Sequence, residues 1–306
     1  MSKLAFIYPG QGVQKAGMGA DFYANSETAA DLFDCASEML QLDLKTLCFQ
    51  ENPNLDLTEY TQAALVCTSL AMTRVLKERG IRPDITAGLS LGEYAAIAAA
   101  GALEEVEAIR LVRKRGILMQ NTVPAGEGAM CAVMGMEAAA LDRVLEELPD
   151  VSVANYNCPG QIVITGKKAA VEEGAKRLKE AGARRTVMLN VSGPFHSEML
   201  LPAGEELKKE LVQTRMKELR IPYVANVTAR KVEDAGEITE LLVRQISGSV
   251  RWMQSMEMML ADGTDTFVEI GPGKTLAGFL KKINPEAKVI NIGTWEEMEQ
   301  AARILL

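Results

Sequence analysis

The chain has 306 residues, 48% hydrophobic and 24% charged, with a formal net charge of -8 at pH 7. This is the composition of a water-soluble globular protein with a sizeable core, and its acidic balance argues against a nucleic-acid binder. Charge, glycine or proline interrupts every apolar run before membrane-spanning length, so no membrane anchor is expected. Cys35, Cys48, Cys67, Cys131 and Cys158 lie far apart with no C-x-x-C pair, and His196 is the single histidine. Those counts point to free buried thiols in a reducing cytosol and against a Cys/His metal site. The sixteen methionines read as core filler.

From the N-terminus, Met1-Ser2-Lys3-Leu4-Ala5-Phe6-Ile7-Tyr8 is too short for a signal peptide and reads as a first strand, over 4–8. It runs into the turn Pro9-Gly10-Gln11-Gly12. Helical periodicity follows over 31–47 and over 61–77, the second run stopped by Arg79-Gly80. A strand over 85–89 reaches Ser90, and a helix over 93–100 follows, with Gly101 as its C-terminal stop. Another helix covers 104–120. The middle then changes character: strand 129–134, helix 138–147, strand 151–155, a turn at Pro159-Gly160, strand 162–165, helix 169–181 and strand 184–190. That β-α-β-β-α-β order is the split arrangement of a ferredoxin-like unit. It is bounded by Pro124-Ala125-Gly126 and Ser192-Gly193-Pro194. Residues 127–196 are therefore expected as an insertion in a large domain made of 1–126 and 197–306. Near the far end come strand 265–270, the loop Gly271-Pro272-Gly273 and helix 275–282. The expected fold is α/β: a large α/β-hydrolase-like domain with a mostly parallel sheet, plus a small ferredoxin-like α+β subdomain. Ser90 belongs to the first and His196 stands at the exit of the second, so the two would meet in the cleft between them.

Gly88-Leu89-Ser90-Leu91-Gly92 is a G-x-S-x-G run between an apolar strand and an Ala-rich helix, the sequence form of a nucleophile elbow. An ordinary strand–helix turn is the alternative. In an elbow, flanking glycines relieve the tight turn, and the Leu91 N–H stands at a helix start where it can stabilise an oxyanion. Serine needs a base to take its proton, and His196 is the obvious one. No carboxylate stands out as a third member, because Glu198 is too close in sequence; a backbone or side-chain carbonyl can hold the imidazole instead. Arg115 has Leu111, Val112, Leu118 and Met119 three and four residues away, so it points to the buried side of its helix. A buried guanidinium wants a carboxylate, which its fork matches. Periodicity leaves open whether that carboxylate is a protein side chain or a substrate. Arg110, Arg113 and Lys114 read as a solvated face rather than an attractor for an anionic cofactor. Gly271-Pro272-Gly273-Lys274-Thr275 is not a phosphate loop, which would need glycine where Val268 stands.

With these residues in view, the chain resembles the malonyl-CoA:acyl carrier protein transacylases, the acyltransferase family of bacterial fatty acid synthesis. The resemblance covers essentially the full length. It is carried by Phe6-Ile7-Tyr8-Pro9-Gly10-Gln11-Gly12 with Gln14, by Gly88-Leu89-Ser90-Leu91-Gly92-Glu93-Tyr94, and by Arg113-Lys114-Arg115-Gly116. Asn155-Tyr156-Asn157, Pro159-Gly160-Gln161 and Ile164-Thr165-Gly166 follow in order. Val191-Ser192-Gly193-Pro194-Phe195-His196-Ser197, Asn226 and Glu269-Ile270-Gly271-Pro272-Gly273-Lys274 complete the set. The resemblance implies a ping-pong transfer of malonyl from malonyl-CoA through Ser90 to the phosphopantetheine thiol of acyl carrier protein. It implies His196 as base, Gln245 holding His196 through its backbone carbonyl, and the N–H groups of Gln11 and Leu91 as oxyanion hole. It further implies Arg115 on the malonyl carboxylate, no permanently bound cofactor, no metal and a cytoplasmic location. Leu89 departs from the histidine that the family commonly has before the nucleophile. Phe195 fits the malonyl-type pattern, where methylmalonyl-using relatives tend to carry a smaller residue. Beside this reading stand a serine thioesterase or esterase, a stand-alone acyltransferase serving a polyketide synthase, and a non-catalytic scaffold binding carrier protein or acyl-CoA.

Overall fold

A computed structural model describes residues 3–191 and 193–306 of the chain. Met1 and Ser2 of the expected first-strand run, and Ser192 of the expected domain boundary, lie outside the described residues. Strand β1 (Leu4–Tyr8) is buried along nearly its whole length and opens the molecule. Three helices follow: α1 (Ala20–Asn25), α2 (Glu27–Leu40) and α3 (Leu44–Phe49). The single helix expected over 31–47 is therefore two. Gln41 adopts a left-handed φ of 49° and ends α2, and Asp43 then caps α3 by accepting the Thr46 N–H at 3.0 Å. Helix α4 (Thr58–Glu78) is buried through most of its length, and β2 (Ile85–Gly88) runs on to Ser90. Helix α5 (Gly92–Ala100) is buried at every position, so its alanines serve as spacers between layers rather than as an amphipathic face. Gly101, with φ 95°, ends it as expected.

Helix α6 (Glu105–Asn121) packs along α4 and leads to the middle segment. There β3 (Gly128–Met134), α7 (Ala138–Leu145), β4 (Val151–Cys158), β5 (Gln161–Lys167), α8 (Lys168–Glu180) and β6 (Arg185–Met188) follow one another. Their strands make one antiparallel sheet in the order β4-β5-β3-β6, the order of a split βαβ unit. Strand β4 runs three residues beyond its expected end, carried past two register shifts against β5.

No element is predicted from sequence over 198–264 or beyond 283. The structure places there α9 (Leu201–Gln213), β7 (Tyr223–Val224), β8 (Lys231–Val232), α10 (Ile238–Ser247), α11 (Trp252–Ala261), then β10 (Lys288–Ile292) and α13 (Trp295–Leu305). Between these last groups lie β9 (Thr266–Ile270) and α12 (Thr275–Ile283), where strand and helix are expected. Two-residue strands such as β7 and β8 are too short to show a period. The large sheet has the order β10-β9-β1-β2-β7-β8, parallel throughout except for the β7–β8 pair. Helices cover both of its faces, as a parallel sheet with apolar strands requires. The segment just before α11 is laced to the small sheet: Val250 donates to the Ala154 carbonyl at 2.8 Å and accepts from the Tyr156 N–H at 2.9 Å, and Ser249 Oγ donates to the Val153 carbonyl at 2.6 Å.

Ser90 sits where β2 meets α5, at the carboxyl end of a central strand. A β-carbon at Gly88 would collide with the backbone of Gly92, and one at Gly92 with the carbonyls of Tyr8 and Pro9. Gly88→Ala should therefore force β2 and α5 apart, costing at least the ~1–3 kcal/mol of an overpacked core. Urea unfolding of that variant measures the loss, and unchanged stability would contradict this packing.

Candidate active site

The tight passage from β2 into α5 puts Ser90 in a left-handed conformation, φ 54°. A non-glycine residue is strained there and stays only where its surroundings over-determine it. Asn226 supplies much of that constraint: its side-chain oxygen accepts the Ser90 N–H at 2.7 Å, and its Nδ2 donates to the Gly88 carbonyl at 2.7 Å. The Ser90 hydroxyl is thereby held 2.8 Å from His196 Nε2.

His196 is itself left-handed, φ 60°, and only 3% exposed. Its Nδ1 faces two backbone carbonyls, Gln245 O at 2.8 Å and Gly248 O at 3.1 Å. Carbonyls only accept, so the ring proton belongs on Nδ1, and Nε2 presents its lone pair to the serine O–H. No carboxylate takes part in this orientation; carbonyls do the work, as the sequence left open. Burial drives the His196 pKa down to about 4, and the Arg115 charge pushes the same way, against the two carbonyls.

Arg115 reaches the site from α6 and is 1% exposed. Its Nη1 donates to Gln62 Oε1 at 2.8 Å, and its Nη2 to Gln245 Oε1 at 2.9 Å and to Ser90 Oγ at 3.1 Å. The Tyr94 ring lies beneath it, 5.8 Å from the guanidinium carbon to the ring centroid. Among the described residues no carboxylate comes within ion-pair distance of this guanidinium, and its Nε has no hydrogen-bond partner. Glu93, the nearest acidic group in the network, is fully buried, and burial raises its pKa to about 8 against the pull of Gln245, the Asn226 N–H and Arg115. The protein-carboxylate alternative for Arg115 therefore has no partner here. The guanidinium faces the cleft with neutral acceptors only.

These groups line a cavity of about 520 Å3 between the two sheets. Gln11, Leu89, Ser90, Leu91 and Phe279 form one wall, while Met130, Asn155, Asn157, Val163 and Leu189 form the other, with Phe195 at its base beside His196. Leu91 immediately precedes α5, so its N–H is one of the helix's unpaired donors. Gln11 anchors its own side chain on Thr58 Oγ1 at 3.1 Å, which fixes the loop that carries its N–H. Neither N–H bonds another described residue. All six candidate site residues thus belong to one cluster; Gln245 lies behind the cavity wall. Gln62 and the Gly248 carbonyl are not foreseen from the sequence. An amide on a buried helix and a main-chain oxygen carry no residue-type signal.

Other expectations resolve locally. Arg110 pairs with Glu107 and Glu210, Lys114 with Glu210, and Arg113 with Glu59 and the face of Tyr60. The loop 271–273 is no anion cradle, because Glu269 already occupies the start of α12, accepting the Leu276 N–H at 3.0 Å and the Ala277 N–H at 2.8 Å. Cys35 is exposed rather than buried, since it lies on the outer face of α2; the other four thiols are buried. Among the described residues no group of three or more His, Cys, Asp or Glu stands where it could hold a metal ion, and no helix is long and apolar enough to cross a membrane.

Residues 5–299 match the acyl transferase domain family. The chain is 47% identical over 310 residues to the malonyl CoA-acyl carrier protein transacylase of Bacillus subtilis, covering 100% of this chain and 98% of that protein. It is 40% identical over 304 residues to the Staphylococcus aureus protein of the same name, covering 98% of each. The crystal structure of malonyl CoA-acyl carrier protein transacylase from Clostridium perfringens superposes with a TM-score of 0.96 at 40% identity, covering 99% of this chain and 97% of that one. A complex of a type II PKS acyl-carrier protein with its malonyl-transacylase contains a chain that superposes with a TM-score of 0.95 at 37% identity, covering 99% of this chain and all of that one.

The His196 environment makes a pH prediction. The folded-state pKa of about 4 lies below the ordinary 6.5, so the imidazole stays neutral and able to accept a proton well into acid. Acylation of Ser90 by an active ester should hold down to about pH 5 and fall only below it. In Arg115→Ala the acid limb should move upward, because one of the two depressing causes is gone. Stability has the same sign: between 6.5 and 4 the unfolded chain binds a proton that the folded chain refuses, so the fold weakens as pH falls. A pH–rate series on both proteins measures the limbs; an acid limb near 6.5 in the unsubstituted chain would refute the assignment.

Proposed function

The chain belongs to the acyl transferase domain family, and from that premise we propose that it moves malonyl from malonyl-CoA to the phosphopantetheine thiol of acyl carrier protein, in the cytoplasm. The observation that carries this reading is the Arg115 guanidinium, buried without a carboxylate and 3.1 Å from the Ser90 hydroxyl. A malonyl thioester has its carboxylate one methylene from the carbonyl that must be attacked. One short diacid can therefore occupy Arg115 and Ser90 together, an arrangement that acetyl cannot use. The four-stranded sheet supports reading residues 127–196 as the unit that carries His196 to the cleft.

In this reading Ser90 Oγ attacks the thioester carbon while His196 Nε2 takes its proton, and the Gln245 and Gly248 carbonyls stabilise the charged ring through Nδ1–H. The oxygen that gains charge is held by the N–H groups of Gln11 and Leu91, the latter at the positive end of α5. Collapse breaks the carbon–sulfur bond, and CoA leaves as a thiol with the proton from His196. The carrier's thiol then enters, gives its proton to His196 and attacks the malonyl-serine ester, and Ser90 leaves with that proton. His196, neutral at rest, serves both half-reactions. The similarity to a transacylase solved with a type II PKS carrier favours a second possibility for the acceptor, a polyketide rather than fatty acid carrier. The chemistry is the same in both.

Intact-protein mass spectrometry after mixing with malonyl-CoA tests the pathway. The unsubstituted chain should gain one malonyl group, Ser90→Ala none, and holo carrier protein should discharge the adduct. Release of free malonate without carrier would mean a hydrolase instead. Arg115→Ala should lose about ten- to 150-fold in the preference for malonyl over acetyl thioesters, the loss of a charge-assisted contact worth ~1.5–3 kcal/mol. An unaltered preference would remove Arg115 from substrate recognition.

A further inference from the structure

Beneath the cluster of Ser90, His196 and Arg115 lies a second layer centred on one acid. Glu93, 0% exposed, stands on the first turn of α5. Its Oε2 accepts from Gln245 Nε2 at 2.7 Å and from the Asn226 N–H at 3.2 Å, while its Oε1 has no hydrogen-bond partner. Those two donors belong to the residues that hold the site together. Asn226 clamps the Ser90 turn, and Gln245 touches everything else: its Nε2 also donates to the Ser90 carbonyl at 2.8 Å, its backbone carbonyl orients His196, and its Oε1 receives Arg115.

An amide side chain has an accepting end and a donating end, and only its partners decide which way it points. Glu93 and the Ser90 carbonyl are both acceptors, so they draw the NH2 end of Gln245 to themselves. The oxygen end is then left for the guanidinium. If the amide were reversed, its NH2 would confront Arg115, donor against donor. We propose that Glu93 is a positioning residue for malonyl recognition, fixing the Gln245 amide so that Arg115 is held by neutral acceptors and keeps its charge for the substrate carboxylate.

Both donors converge on Oε2, which accepts them in either protonation state, and Oε1 has no partner among the described residues. Full burial with no cation among them in ion-pair contact favours the neutral acid, raising the pKa to about 8. The charged or titratable groups that act on Glu93 are Arg115 from α6, Tyr223 from β7 and Tyr94 on its own helix. Burial lifts both tyrosines well above their usual range, and His196 is neutral above about pH 4. Across neutral and mildly alkaline pH, Glu93 is thus the group among these that gains charge. On ionising, it becomes an internal counter-ion for Arg115 and weakens the pull on malonyl. By linkage, a bound malonyl carboxylate resists that ionisation.

This inference rests on the malonyl reading, and the test separates the two. The quantity to measure is the ratio of kcat/KM for serine acylation by malonyl-CoA to that by acetyl-CoA, in which the titration of His196 cancels. In the unsubstituted chain the ratio should fall by about threefold or more between about pH 7 and about pH 9. Glu93→Gln keeps an oxygen for Gln245 and Asn226 and cannot ionise. It should match the unsubstituted ratio at neutral pH within about threefold and stay flat to about pH 9. Glu93→Ala should lose at least about tenfold in the ratio at every pH, because the Ser90 carbonyl alone is then left to hold the NH2 end of the amide. A Glu93→Gln profile that follows the unsubstituted fall overturns the proposal, and so does a Glu93→Ala protein with an undiminished ratio. Should Glu93→Ala fail to fold, the Glu93→Gln profile decides alone. Absence of any malonyl adduct in the unsubstituted chain would instead defeat the functional reading.

Discussion

One buried positive charge without a negative partner organises this molecule. Taking a guanidinium out of water is costly unless an anion meets it. Here Arg115 is given two amide oxygens, a hydroxyl and an aromatic face. That is enough to hold the fork in place and too little to neutralise it. The same charge contributes to keeping His196 unprotonated and donates to the serine oxygen, so recognition and chemistry draw on one group. An apolar helix face makes the charge strong, because the surrounding medium screens it poorly.

The site is also held under backbone strain on both sides. Ser90 and His196 each adopt a left-handed conformation. Such a conformation persists where neighbours leave no alternative. Asn226 and Gln245 are those neighbours, and they come from the part of the chain after residue 198, whose short strands and helices are folded around the elbow. The stretch 198–264, over which no element is expected from sequence, is thus the one that secures the nucleophile and its base.

That division explains what could be read in advance. The elbow was legible because a tight strand-to-helix turn demands glycines at fixed spacing, and Gly88 and Gly92 have no room for a β-carbon. His196 followed from being the single histidine. Arg115 followed from its apolar neighbours on a helix. The alternation of strand and helix gave the mostly parallel sheet, and the middle segment gave the antiparallel one. Gln245 came into view only through family resemblance, because the oxygen that orients the histidine is a backbone atom that any residue could supply. The break between α2 and α3 escaped because Gln41, not glycine, takes the left-handed position. A count of cysteines says nothing of helix faces, and Cys35 shares the exposed face of α2 with Asp31, Asp34 and Glu38.

The lacing of the segment before α11 onto β4 has a mechanical meaning. Val250 is laced into β4 through Ala154 and Tyr156, two residues along the chain from the Gly248 carbonyl that bonds His196. Strand β4 also presents Asn155 and Asn157 to the cavity. The far wall of the cleft and the orientation of the base are therefore parts of one lever. Swinging that wall outward would drag on the imidazole, so a long flexible thiol is best admitted by threading between fixed walls, not by prising them apart.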